Sequence, residues 1–237
     1  MIIINKKEKK GNKTLGEVID HFSHDVNLSS LEEMRASLPV LQSLSNDLSW
    51  LADYARKFSI GDLSHNEINS GKFMTSNSYL IPTNTNKFVM RWNYWDSCDN
   101  NQSYESNKIK YAADAIHNHD FHLLTTCVLG PGYHSTIYKT EFEQKKLLLN
   151  QTVDLKPLGT HQLSCGEGMF MEAQREYHMQ HLPSKPSVTV NIMVNNSFGE
   201  QYCLRKKNGQ YSVSEILATN ETRAEKINNA IVRFMHA

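Results

Sequence analysis

The sequence predicts a mainly β protein, an antiparallel sandwich or barrel with a helical segment before it and a helix at its end. Three observations carry that prediction. Leucines recur at helical spacing only in the first third, and short β-rich runs with Gly and Asn between them fill the chain from Tyr79 to Arg205. Histidines gather in the second half, two of them separated by a single residue.

The helical part begins at Thr14. From there to His24, Leu15, Val18, Ile19 and Phe22 fall on one side of a short helix. Ser30-Leu31-Glu32-Glu33 has capping-box form, with the serine capping the Glu33 amide and the glutamate reaching back. Leu31, Met34, Leu38, Leu41, Leu44, Leu48 and Leu51 then recur at threes and fours, the spacing of a buried helix face. Pro39 either kinks this run or opens a second helix with Ser37 as its cap. The stripe is too short and broken for a partner-binding zipper. Residues 1–73 are therefore expected to form a helical segment packed on a barrel of residues 74–237.

Strands are expected at Tyr79–Pro82, Lys87–Trp95, Leu123–Leu129, His134–Thr140, Lys145–Asn150, Gln162–Cys165, Gly168–Glu172 and Ser187–Val194, and around Tyr202–Arg205. Ser214–Ala218 and Glu221–Met235 are expected to close the chain as helix. Ser187–Val194 alternates small or polar with apolar side chains, as a barrel strand does. Gly130-Pro131-Gly132 reads as a tight connection between strands.

Composition narrows the function classes. With 25 Lys+Arg against 25 Asp+Glu in 237 residues, nothing calls for a nucleic acid or an anionic membrane as partner. No apolar run reaches membrane-spanning length, and the three apolar residues before the first lysines form no signal-peptide core. Cys98, Cys127, Cys165 and Cys203 form no CxxC pair, which excludes a zinc ribbon; they read as reduced thiols of a cytoplasmic protein.

Five of the 11 histidines fall between His117 and His161, and His178 and His181 follow. In an extended strand, residues two apart share a face, so His117 and His119 can aim both imidazoles into a barrel. Two neutral imidazoles at that spacing suit Fe(II), Zn(II), Ni(II) or Mn(II), and such an ion needs a third protein ligand. His178 follows a turn, a short apolar strand and a second turn, which is how a barrel returns a distant residue to the first pair. A shifted register would put His181 there instead. His122 faces the barrel only on a bulged strand; His134 and His161 read as ordinary strand histidines.

These residues resemble the motifs of the cupin superfamily. The first motif runs glycine, HxH, three or four residues, glutamate, six residues, glycine. Here His117-x-His119 is followed by Leu123 at the glutamate position and by Gly130 at the closing glycine. Gly166, Gly168 and His178 follow the second motif. The glycine before the histidine pair is absent, and Ala173 and Arg175 stand where Pro-x-Gly is usual. The resemblance covers Tyr79 to Tyr202. It implies a cupin-type double-stranded β-helix, or jelly-roll barrel, with metal ligands His117, His119 and His178.

Leu123 in place of the carboxylate ligand leaves a neutral three-histidine set. Among cupins that arrangement resembles the thiol dioxygenases, cysteine dioxygenase and its relatives, in which Fe(II) takes a substrate thiolate and then O2. The HxD or HxE of 2-oxoglutarate oxygenases is missing. The resemblance thus implies a non-haem Fe(II) dioxygenase-like oxidoreductase acting on a small metabolite such as an amino acid or derivative. Two alternatives use the same residues: a non-redox Zn, Mn or Ni cupin (isomerase, lyase or hydrolase), and a non-catalytic binding or sensory cupin.

Such a site needs polar groups that orient its substrate. Arg91, on a strand with Trp92, Tyr94 and Trp95, could clamp a carboxylate, or could merely cover aromatic surface. Tyr177 and Gln180 flank the third ligand, and Gln180 shares its face on an extended strand. Tyr133, Tyr138 and Asn191 are further candidates. The helical segment could cap the barrel mouth, mediate a homodimer or bind a partner.

Overall fold

The computed structural model describes residues 3–5, 11–60, 77–97, 104–105, 107–108, 111, 113–141, 146–194 and 199–217. Helix α1 (Leu15–Asp20) starts at a full capping box: the Thr14 hydroxyl accepts from the Glu17 amide, and the Glu17 carboxylate accepts from the Thr14 amide at 2.7 Å. It runs on into a π-helical turn, His21–Asp25. At α2 (Leu31–Ala36) only half of the expected box forms. Ser30 Oγ accepts from the Glu33 amide, but the Glu33 carboxylate turns to the Asn27 amide at 2.9 Å. Pro39 does open a second helix, α3 (Leu38–Gln42), in whose first turn its missing N–H costs nothing. A 3-10 turn, Ser43–Ser45, leads towards α4 (Ser49–Ser59).

Thirteen strands form two antiparallel sheets among the described residues. They are β1 (Ile3–Asn5), β2 (Ser78–Ile81), β3 (Phe88–Trp95), β4 (Ile116–Asn118), β5 (Leu123–Leu129), β6 (His134–Lys139), β7 (Thr152–Val153), β8 (Lys156–Gln162), β9 (Gly168–Met171), β10 (Glu176–His181), β11 (Ser187–Val194), β12 (Gln201–Lys207) and β13 (Gln210–Leu217). One sheet has the order β1-β9-β5-β11-β3-β2, the other β7-β13-β12-β4-β10-β6-β8. The chain therefore crosses from sheet to sheet at β3, β4, β5 and β6, and again at β8, β9, β10 and β11. That is the strand order of a jelly roll, a double-stranded β-helix. β12 and β13 extend one sheet, and β1 and β2 the other.

Side-chain alternation assigns the two faces. All of β11 is buried, yet its residues divide. Val188, Val190, Ile192 and Val194 join Phe22, Met34, Leu38, Leu41 and Leu44 of the helices in one apolar cluster. Met193 joins the interior cluster with Leu123, Cys127 and Tyr133. The helices thus cover the outer face of this sheet. Gly168 permits the close approach: a Cβ there would lie 2.9 Å from Leu38 Cγ. Truncating the fully buried Leu41 to Ala would cost about 2–5 kcal/mol. On the second sheet, Tyr138, Tyr177, Tyr202 and Leu204 form an outer cluster with Leu147, Val153 and Leu155.

Three sequence expectations are corrected. Of the helix expected at Ser214–Ala218, the described residues 214–217 are strand: β13 runs to Leu217 as the second arm of a hairpin with β12. Its turn, Asn208-Gly209, has φ of 52° and 81°, the left-handed pair that a two-residue hairpin demands. Residues 146–150 form a turn rather than a strand, with Leu147 plugged into the outer cluster. The strand expected at Gln162–Cys165 lies earlier, at Lys156–Gln162; exposed on both faces as an edge strand, it carries no apolar alternation to read. The helix expected at Glu221–Met235 lies outside the described residues. No helix among the described residues is long and apolar enough to cross a membrane.

Candidate metal centre

Antiparallel pairing of β4 with β10 sets His178 directly opposite His117. His119 follows one residue beyond β4, on the face it shares with His117. The three imidazoles meet inside the barrel. His178 Nε2 lies 2.9 Å from His117 Nε2 and 3.2 Å from His119 Nε2. The ligand atoms of all three lie within 4.8 Å of one another, and among the described residues no other His/Cys/Asp/Glu group does so. Nitrogens about 2.1 Å from one ion at right angles would be about 3 Å apart, so the spacing fits a metal face.

Each ring is held from its far side. His117 Nδ1 donates to the Ala115 carbonyl at 2.9 Å, which leaves the Nε2 lone pair directed into the cluster. His178 Nδ1 meets Ser135 Oγ at 3.3 Å. These partners of His117 and His178 are of the kind that orient a metal ligand. The Gln201 amide nitrogen instead donates to His119 Nδ1 at 3.0 Å, so His119 Nε2 is freed for an ion when the amide turns its oxygen to the ring. Burial is the first cause that pushes all three imidazoles below their ordinary pKa, His119 and His178 far below; neighbouring imidazoles add to it at His119 and His178, and the Arg91 guanidinium at His117 and His119, while the hydrogen bond to Ala115 opposes it at His117. Three neutral nitrogens converging in a dry site suit a Lewis acid.

The cluster forms one wall of a cavity of about 250 Å³ between the two sheets. Of the residues expected to line it, Arg91 and Gln180 do. Arg91 is on the inward face of β3, and burial lowers its guanidinium to about 10, still cationic at neutral pH. Tyr133 and Asn191 also line the cavity. Burial pushes the Tyr133 phenol up to about 12, against hydrogen bonds with Gln180 and Thr125, so at neutral pH it is an uncharged donor. The Asn191 amide oxygen accepts from Thr125 Oγ1 at 2.5 Å. Leu123, at the motif's carboxylate position, is a wall residue too. No Asp or Glu lines this cavity among the described residues.

Tyr177 is not brought to the cavity. One residue from His178 on an extended strand, it must face the opposite way, and it is buried in the outer cluster beside Tyr138 and Tyr202. The same alternation decides that His178, and not His181, joins the cluster. His181 faces outward, where its Nδ1 meets Asp114 and its Nε2 meets Thr136, both at 2.8 Å. His122 is buried away from the cluster: its Nδ1 accepts from the Ala173 amide at 3.0 Å and its ring stacks on Phe170. His134 and His161 are exposed.

Sequence reasoning missed Gln201 and Cys203. Cys203 is the cross-strand partner of His117 on β12 and lines the cavity. The signal was available: if Tyr202 packs outward, residues 201 and 203 must point inward.

Fold and site together define a double-stranded β-helix protein with a buried three-histidine cluster that could hold a metal ion. No family model matches the chain, and no curated protein matches it. Solved structures similar to it include one described as DMSP lyases RdDddP and RnDddQII, at 11% identity over 55% of this chain and 52% of that one, TM-score 0.31. DMSP lyase DddQ from Ruegeria pomeroyi is similar at 11% identity over 59% of this chain and 57% of that one, TM-score 0.29. An uncharacterized conserved protein with a double-stranded beta-helix domain from Klebsiella pneumoniae is similar at 9% identity over 60% of this chain and 93% of that one, TM-score 0.31. The chain spans little more than half the length of the lyases it matches.

Proposed function

We propose that the cavity is a catalytic metal site and the protein a cupin-type oxygenase that resembles the thiol dioxygenases. Its substrate would be a small metabolite carrying a carboxylate, such as an amino acid or derivative, with O2 as co-substrate. The observation that carries this reading is the charge pattern of the cavity: three neutral imidazoles and a buried Arg91, with no carboxylate among the described lining residues. His117, His119 and His178 would hold the ion, Fe(II) first and Zn(II), Mn(II) or Ni(II) as the other fits. Such an ion, when bound, supplies open positions for a substrate donor atom and for O2.

The protein's own residues do the rest. Arg91 receives the carboxylate, and in a dry site a bidentate guanidinium contact fixes its orientation. Tyr133 and Gln180 donate hydrogen bonds beside it. Trp95, Phe121 and Leu123 exclude water and limit substrate size. Positive charge on a wall of the cavity favours an anion over a neutral ligand.

The test is metal analysis of protein purified without oxygen, followed by oxygen uptake with small thiol and amino-acid carboxylates. Iron with substrate-dependent uptake is expected. Stoichiometric zinc and indifference to oxygen would favour a non-redox isomerase, lyase or hydrolase on the same ligands. An unchanged metal content in His119→Ala would leave only a binding or sensory role.

A further inference from the structure

We propose that Cys127 and Cys165 are a redox pair that closes to a disulfide under peroxide, a modification site at the end of β5, independent of the metal centre. Cys127 is buried in the interior cluster beside Tyr133 and Ile137. Past β8, the chain makes a tight turn in which the Glu167 amide donates to the Ser164 carbonyl at 2.8 Å and Gly166 takes a φ of 80°. That turn sets Cys165 against Cys127 as an isolated bridge pair. The Gly166 amide donates to the Cys127 carbonyl at 2.7 Å, and the Cys127 amide to the Glu167 carbonyl at 3.2 Å.

Backbones bridged this way run about 4.7–4.9 Å apart, inside the roughly 4.4–6.8 Å between Cα atoms that a disulfide spans. The two thiols already reach for adjacent carbonyls of one strand end. Cys165 Sγ lies 3.3 Å from the Val128 oxygen, and Cys127 Sγ 3.4 Å from that of Leu129. They also feel each other: burial and then the neighbouring Cys165 push the Cys127 thiol up to about 12.

Exposure divides the labour, since Cys165 is exposed and Cys127 buried. The Cys165 thiolate attacks one oxygen of hydrogen peroxide, the O–O bond breaks and hydroxide leaves, giving a sulfenic acid. Cys127 sulfur then attacks Cys165 sulfur; the S–O bond breaks, the S–S bond forms, and the departing hydroxide takes the Cys127 proton as water. Two thiols lose two electrons in total and the peroxide becomes two waters. Cys127 gives up its proton reluctantly, so the second step is the slow one. The bond would close the loop that carries β6, β7 and β8.

The full chain is treated with hydrogen peroxide, quenched with catalase, alkylated and mapped without reduction. A peptide linking Cys127 to Cys165, two hydrogens lighter than the pair, is expected, with a rise in Tm of about 5 °C or more from loop closure. Cys165→Ser, a change at an exposed turn, should abolish both. Sulfinic acid at Cys165 with Cys127 still alkylatable would overturn the proposal, as would a linked peptide that pairs either residue with another cysteine.

Discussion

His178 Nε2 lies 2.9 Å from His117 Nε2 although 61 residues separate them in the chain. The closeness follows from register: β10 pairs with β4 so that the two residues are direct partners, and both point inward. Replacing His178 by Ala removes the shared corner of the cluster, since it alone contacts both other rings by hydrogen-bond distance. Bound metal should fall to near zero by elemental analysis, while the circular dichroism of the sheets persists.

The metal-free protein should lose stability as acid is added. Burial holds the folded-state pKa of His117, His119 and His178 below the ordinary value of 6.5. Below that value the unfolded chain takes up protons that the folded chain does not, so stability is full above pH 6.5 and is lost as pH falls towards the folded values. With three such groups the slope approaches about 4 kcal/mol per pH unit. Urea midpoints measured from about pH 8 to about pH 5 would read it, and a flat profile would show the imidazoles to be hydrated.

Arg91→Met tests the carboxylate contact directly. Affinity for small carboxylates, screened by calorimetry from formate to cysteine, should fall about 10- to 100-fold, because methionine offers the carboxylate no charged donor. The same substitution removes a charge that opposes protonation of His117 and His119. The metal-free protein should therefore lose less stability in acid, and its acid transition should move to lower pH. An unmoved transition together with unchanged carboxylate binding would remove Arg91 from the site.

Gln201 acts through His119, whose Nδ1 it meets at 3.0 Å while also donating to the Asn118 carbonyl at 2.9 Å. Gln201→Glu, whose carboxylate accepts from a protonated Nδ1 and so frees Nε2, should tighten metal binding about 10-fold over the parent. Gln201→Leu, which offers the ring no acceptor, should bring no such gain. Competition with a chromophoric chelator measures both variants. Equal affinity in the two would show that Gln201 only fills space.

Gly132 lies in the turn that takes the chain from β5 in one sheet to β6 in the other. Its φ is 75°, and a Cβ there would stand 1.7 Å from the Leu163 carbonyl oxygen. Gly132→Ala should therefore cost about 3 kcal/mol or more, from left-handed strain plus a backbone clash. A loss below about 1 kcal/mol in urea would mean that the turn relaxes freely.

The site is legible in the sequence to the extent that local periodicity reaches. Two-residue alternation puts His117 with His119, and His178 with Gln180, and the glycines at 130, 132 and 166 do sit in left-handed turns. The same alternation excludes Tyr177 and His181 once His178 points inward. Asn208-Gly209 likewise announces the β12–β13 hairpin, against the helix expected at Ser214–Ala218, because a hairpin turn is a property of two residues.

What the sequence by itself determined was which residues share a face and where the chain turns, since backbone sterics and hydrogen bonding act over a few residues. Only the tertiary structure decided which faces oppose each other. Arg91 from β3 and Gln201 from β12 reach the histidines because the two sheets close over one cavity. The edge strand β8, with both faces in water, left no apolar pattern at all. Burial, and with it the neutral state of the imidazoles, depends on strands far apart in the chain coming together, and no window of sequence records that distance.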